Sequence, residues 1–252
     1  MKIQHFVIII TTFIFCFSCK QENAVGKIEA VQTPVTDSVI GNPAIEKFVT
    51  PYRTRVNSDL DSILAYSPYD MSDRDGEFET ALGNMIADMV VAQGDPIFEK
   101  RTGKHIDFCL VNHGGIRADI AKGAVTKRTA YEVLPFENAI VVTELTADNV
   151  RELVTYLSKA KRAHPISGMT LTLNEDYSVN DVKINGMPID DSKTYNVVTN
   201  DYLQNGGDGM VFFSDPIALH VLDYKIRNAM IDYFIKIDSL PYTLDKRFIR
   251  IQ

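Results

Sequence analysis

Residues 199–209 gather an aromatic ring, an amide and a carboxylate around a glycine turn: Tyr202, Asn205 and Asp208 beside Gly206 and Gly207. Such a set suits a flat, polar ligand, since a ring offers a stacking face and a carboxylate accepts hydrogen bonds from neighbouring hydroxyls. The flanking runs 195–199 and 210–213 are β-branched and aromatic, so the turn is expected to join two strands; taken alone, Asn205-Gly206 and Asp208-Gly209 fit a plain hairpin equally well. A second set follows a strand-like run at 108–111, namely Asn112-His113-Gly114-Gly115-Ile116-Arg117. Gly114 and Gly115 permit a turn that other residues resist, leaving Asn112 and Arg117 to project near the strand end. The alternative reading of Arg117 is a surface ion pair. Phe136 lies in a proline-containing connection at 134–138, where it is either a ring on display or a plug for the core.

These residues need a scaffold, and the apolar pattern supplies one. A helical stripe over 45–64 is expected to pack on the core, and a second over 78–92 turns Ala81, Leu82, Met85, Ile86, Met89 and Val90 inward. Strands are expected at 106–111, 139–145, 169–173, 179–184 and 195–199. Thr146 precedes a capped helix start, and Ile184-Asn185-Gly186-Met187 reads as a turn. A last helix is expected over 220–237, and Pro51, Pro68, Pro96 and Pro165 at element edges. Strands and helices mix without strict alternation, which points to an α+β domain with a mixed or antiparallel sheet and packed helices.

The ends and composition set further bounds. Lys2, an apolar run over 6–17 and Ser18-Cys19-Lys20 have the layout of an export signal too short to span a bilayer. A cysteine directly after such a run marks Cys19 as a lipidation site, giving a signal peptide over 1–18, a tether over 19–42 and a domain over 43–252. The protein is then expected to be an exported, membrane-anchored lipoprotein of a bacterial cell envelope; cleavage of an ordinary secretory signal nearby is the alternative. Cys109 reads as a buried strand residue without a disulfide partner. A formal charge of −7 with no basic patch argues against a nucleic-acid polymer as partner.

Five blocks in order resemble the C-terminal, substrate-specificity domain of the 5'-nucleotidase family, which includes the UDP-sugar hydrolases: Leu82-Gly83-Asn84 with Asp88, then 112–117, 134–138, Ser167-Gly168 and 194–209. The resemblance implies that Phe136 and Tyr202 sandwich a nucleobase. It also implies that Asp208 accepts the ribose diol, that Asn112 meets the base edge, and that Arg117 meets the ribose or phosphate side, with Asn205 and the glycine turns in the same binding set. One departure stands out. The family arginine three residues before Glu79 falls on Gly76 here, and Arg74 is a candidate to reach the same place.

In that family the cutting is done by a separate metallophosphoesterase domain with Asp-x-His and Gly-Asn-His-Glu motifs. This sequence has neither, and its five histidines are scattered. No metal site, catalytic residue or cofactor is therefore expected within this chain; divalent metals are expected only on a partner domain. Three readings follow: a nucleotide-recognition domain completed by a separately encoded metallophosphoesterase partner, a lipid-anchored nucleoside- or nucleotide-binding protein without catalysis, and a decayed remnant.

Overall fold

Alternation along the central strands sorts the apolar residues into two cores. Phe108 and Leu110 enter one, with Val197; Cys109 and Val111 enter the other, with Val198. The computed structural model describes residue 3, residues 26–36 and residues 38–251; the expected export run and Cys19 lie outside the described residues. The chain divides into two compact units, Met1–Val49 and Thr50–Gln252.

In chain order the strands are β1 Ile63–Ser67, β2 Phe108–Leu110, β3 Gly123–Thr126, β4 Ala139–Thr146, β5 Ile166–Ser167, β6 Met169–Leu173, β7 Val179–Ile184, β8 Thr194–Asn200, β9 Ala218–Lys225 and β10 Phe248–Arg250. The helices are α1 Pro43–Leu60, α2 Ala81–Thr102, α3 Lys127–Val133, α4 Ala147–Ala160, α5 Asp201–Gln204 and α6 Ile226–Lys236. The main sheet has the order β5-β2-β8-β4-β9, flanked by a three-stranded sheet β10-β6-β7 and a pair β1-β3. Only β2 and β8 run parallel within the main sheet; its other pairings are antiparallel. This is a mixed α+β fold. One core contains the buried apolar residues of α2, α3 and α6, and the other contains those of α4 and the three-stranded sheet. No helix among the described residues is long and apolar enough to cross a membrane.

Several local expectations hold for identifiable reasons. The Thr146 hydroxyl accepts the Asn149 amide and caps α4. Ile184 and Met187 exchange both backbone bonds across Asn185 and Gly186, each at positive φ. Cys109 is fully buried, which pushes its thiol well above the usual range.

Others are corrected by the fold. None of the residues of α1 is buried, although its apolar stripe is real; its C-terminal turn is instead tied to α3 by Asp59 on Lys127 and Asp61 on Arg128. Pro51 and Pro96 lie inside α1 and α2 rather than at edges. Residues 218–225 form strand β9, so 220–225 are not the first turns of the expected helix, because the outer edge of β4 recruits them, with Val141 opposite Val221 and Thr143 opposite Leu219. Residues 211–213 make a 3-10 turn where a strand was expected, with Phe212 and Phe213 buried.

The 82–88 block is used for architecture. Asn84 donates to Glu79 at 2.6 Å and to the Thr243 carbonyl at 3.0 Å, and Glu79 also accepts the Asp245 amide at 2.9 Å. Arg247, which leads into β10, is buried and bonds Asp88, Asp245 and the Ile166 carbonyl. Its guanidinium holds the Asp245 carboxyl below the usual range. Removing a buried partner leaves charges stranded, but Asp88 and Asp245 retain 43% and 47% side-chain exposure and can rehydrate. Arg247→Ala should therefore cost about 2 kcal/mol rather than the 3 to 5 of a fully buried pair, read as a lowered urea midpoint; an unchanged midpoint would discard this account.

Candidate functional site

Three segments distant in sequence meet at one end of the main sheet because of strand direction. β2 and β8 run parallel, with Cys109 opposite Val198, so both deliver their exits to the same end. β4 runs against β8, with Ile140 opposite Asn200, so it starts where β8 stops. The exit of β2 is Asn112 and the turn His113–Gly115, the exit of β8 is α5, and the segment entering β4 carries Phe136. Asn200 caps α5 by accepting the Leu203 amide at 2.8 Å, and Asp201 accepts the Ala139 amide at 3.0 Å, which joins two of the three segments directly.

The segments enclose a cleft of about 380 Å³ lined by Asn112, Gly114, Arg117, Phe136, Asn138, Tyr202 and Asp208. Phe136 is 48% exposed and Tyr202 45%, so neither ring plugs the core. The Tyr202 ring lies flat against Gly207, where a Cβ would come within 2.5 Å of it; only glycine fits beneath that ring. Gly206 precedes it in the left-handed conformation. Gly114 and Gly115 are not at positive φ. Their small size serves a different end, since the Asn112 side chain folds back over them and a Cβ on Gly115 would sit 3.1 Å from its Oδ1.

Asp208 is held from several directions. Its Oδ1 accepts the Tyr202 hydroxyl at 2.9 Å, its Oδ2 accepts the Asn112 amide at 2.9 Å, and its carbonyl accepts the Tyr156 hydroxyl at 2.9 Å. These bonds keep it at φ 53, a conformation unusual outside glycine. Each carboxylate oxygen retains a lone pair for a further donor. A flat ligand flanked by the two rings and a hydroxyl-bearing group at Asp208 would match this arrangement.

Asn205 lies elsewhere: its amide bonds the Asp201 carbonyl at 2.7 Å at the end of α5, and it does not line the cleft. Arg117 lines the cleft and makes no ion pair among the described residues. Arg74 is 85% exposed, pairs with neighbouring Asp73 at 3.2 Å, and is not among the lining residues. The Gly76 position could not carry a side chain, as a Cβ there would lie 1.8 Å from the Glu79 carbonyl oxygen. Sequence reasoning did not single out Asn138, Asn200, Tyr156 or His164. Asn138 and Asn200 at least fell within recognised blocks; nothing in the sequence marked Tyr156 or His164. Among the described residues, no group of three or more His, Cys, Asp or Glu converges as metal ligands would.

A profile of the family described as "5'-nucleotidase, C-terminal domain" matches residues 63–215, more than half of the chain. The chain is 28% identical over 211 residues to the cell wall protein Lmo0130 of Listeria monocytogenes, covering 75% of this chain and 26% of that protein. It is 36% identical over 165 residues to the trifunctional nucleotide phosphoesterase protein YfkN of Bacillus subtilis, covering 59% of this chain and 11% of that protein. Among solved structures, a 5'-nucleotidase precursor from Thermus thermophilus aligns with a TM-score of 0.69 at 26% identity, over 82% of this chain and 43% of that one. The chain thus spans less than half the length of each of these relatives.

Next to the His113–Gly115 turn, His164 is 5% exposed and its Nδ1 accepts the His113 amide at 3.3 Å. Burial, reinforced by nearby His113, pushes its pKa from 6.5 down to about 4. Between these values the unfolded chain takes up a proton that the folded chain refuses, so stability falls as pH drops from 6.5 towards 4, by about 3 kcal/mol in all. Urea unfolding at pH 7 and pH 4.5 should show this loss in the natural protein and a smaller one in His164→Gln, which can still accept the His113 amide. Equal losses in both would remove His164 as the cause.

Proposed function

From the premise that this chain belongs to the 5'-nucleotidase C-terminal domain family, we propose that its cleft binds a nucleoside or nucleotide, with the base between Phe136 and Tyr202 and the ribose diol at Asp208. The observation that carries this reading is the meeting of two half-exposed aromatic rings and a firmly held carboxylate in one cleft. Stacking on an aromatic contributes roughly 1 to 3 kcal/mol per base and tolerates different bases. Asn112 would present its amide towards the base edge. Arg117, with no carboxylate partner among the described residues, would meet the ribose or phosphate side as a charge-assisted donor.

In this reading the chain is the recognition half of a nucleotide phosphohydrolase. A separately encoded metallophosphoesterase domain would bring the two metal ions that activate water and polarise phosphate when bound. This chain's part is to choose the ligand, stack its base and hold its sugar. The alternative is capture of nucleosides without catalysis, in which the same lining residues, Phe136, Tyr202 and Asp208 among them, would hold the ligand. An exported location accords with the relative named as a cell wall protein, and Cys19 would carry the lipid that anchors the chain to a membrane.

Calorimetry with adenosine and uridine should detect binding to the isolated chain, and Phe136→Ala or Tyr202→Ala should each weaken it about tenfold. The isolated chain should release no phosphate from nucleoside monophosphates, and should do so once a metallophosphoesterase-domain partner and divalent metal are added. Phosphate release by the chain alone would overturn the division of labour, tight binding with no gain from any such partner would favour capture, and no nucleoside binding at all would discard both. Separately, labelling of the cells with a radioactive fatty acid should mark the natural protein and not Cys19→Ala; equal labelling would discard the lipid anchor.

A further inference from the structure

The segment that carries Phe136 has no regular secondary structure between α3 and β4, yet it presents a half-exposed ring at a defined place. What holds it comes from the far end of the chain. The Ile226 amide, at the start of α6, donates to the Asn138 carbonyl at 3.0 Å. The Lys225 ammonium donates to the Glu137 carbonyl. Arg227 donates through Nη1 to the Pro135 carbonyl at 2.9 Å and through Nη2 to the Glu137 carboxylate. Three consecutive residues, the last of β9 and the first two of α6, thus hold acceptors on both sides of Phe136.

Arg227 is the centre of this grip. It is 6% exposed, and its guanidinium lies 4.2 Å from the centroid of the Tyr131 ring on α3. Its Nε is buried without a hydrogen-bond partner among the described residues, an arrangement that costs stability. A residue kept only for stability would be better served by an apolar side chain of similar size. The planar fork of an arginine, by contrast, can reach a carbonyl and a carboxylate at once while its face rests on an aromatic ring, which lysine cannot do.

We propose that Arg227 is a positioning residue for ligand recognition: by clamping Pro135 and Glu137 it sets the Phe136 ring at the stacking distance from Tyr202 that admits a base. This rests on the reading of Phe136 as one side of a nucleobase sandwich, and it names the residue that makes that side rigid. It assigns Arg227 no contact with the ligand.

Two measurements separate the proposal from the reading beneath it. In the ligand-free protein, chymotrypsin cleavage after Phe136, followed by mass spectrometry, should quicken several-fold in Arg227→Gln and to a smaller extent in Arg227→Lys, with cleavage at other aromatics unchanged. This result does not depend on any ligand. In calorimetry with adenosine, Arg227→Gln should weaken binding about tenfold in the natural background and less than about twofold in Phe136→Ala, since a positioning residue loses its effect when the ring it positions is gone. Unaltered cleavage after Phe136, or an equal loss of affinity in both backgrounds, would overturn the proposal. If the natural protein binds no nucleoside while cleavage still responds to Arg227, the clamp stands and the ligand assignment fails.

Discussion

The parallel pairing of β2 with β8 is the constraint on which the site depends. In a sheet whose other pairings are antiparallel, it sends two strand exits to one end, while the antiparallel pairing of β4 with β8 brings the start of a third strand to the same place. Asn112, Asp208 and Phe136 meet for that reason. The pairing is maintained by burial on both faces: Phe108 and Val197 on one side, Cys109 and Val198 on the other, all within 1% of full burial. A shift of either strand by one residue would exchange these faces and turn each exit away from the cleft.

Around that meeting point, rigidity is built from polar contacts rather than from packing. Asp208 is held through its side chain by Tyr202 and Asn112 and through its carbonyl by Tyr156. The Phe136 segment is bonded by residues 225–227. Both aromatic sides of the cleft are therefore restrained before a ligand arrives, which lowers the ordering cost of binding. Hydrogen bonds suit this task because they are directional, and an apolar contact of similar strength would tolerate sliding.

Legibility in the sequence followed the range of the interactions. The Thr146 cap, the turn at 185–186 and strands β6 and β7 depend on neighbouring residues, and they lie where the local pattern puts them. The glycine blocks were visible because glycine marks a backbone constraint, although the reason at Gly115 and Gly207 is close approach of a side chain. Asn205 was drawn into the expected binding set by its place in a block, whereas its amide is engaged in ending α5. Tyr156 and Arg227 gave no local signal, since a tyrosine or arginine on a helix becomes meaningful only through the distant acceptor it reaches.

By itself, then, the sequence determined which chemistry was available: two rings, a carboxylate, an arginine and amides in glycine-rich turns, with no recognisable cutting motif. The tertiary structure decided where that chemistry meets and which elements serve it. It left α1 without a buried residue, because an amphipathic stripe specifies a face and not the surface it will meet. It made 218–225 a strand, because an unpaired edge on β4 outweighs a helical pattern of a few residues. It recruited Arg227 to hold Phe136 in place, a link made across the fold between groups that no local pattern connects.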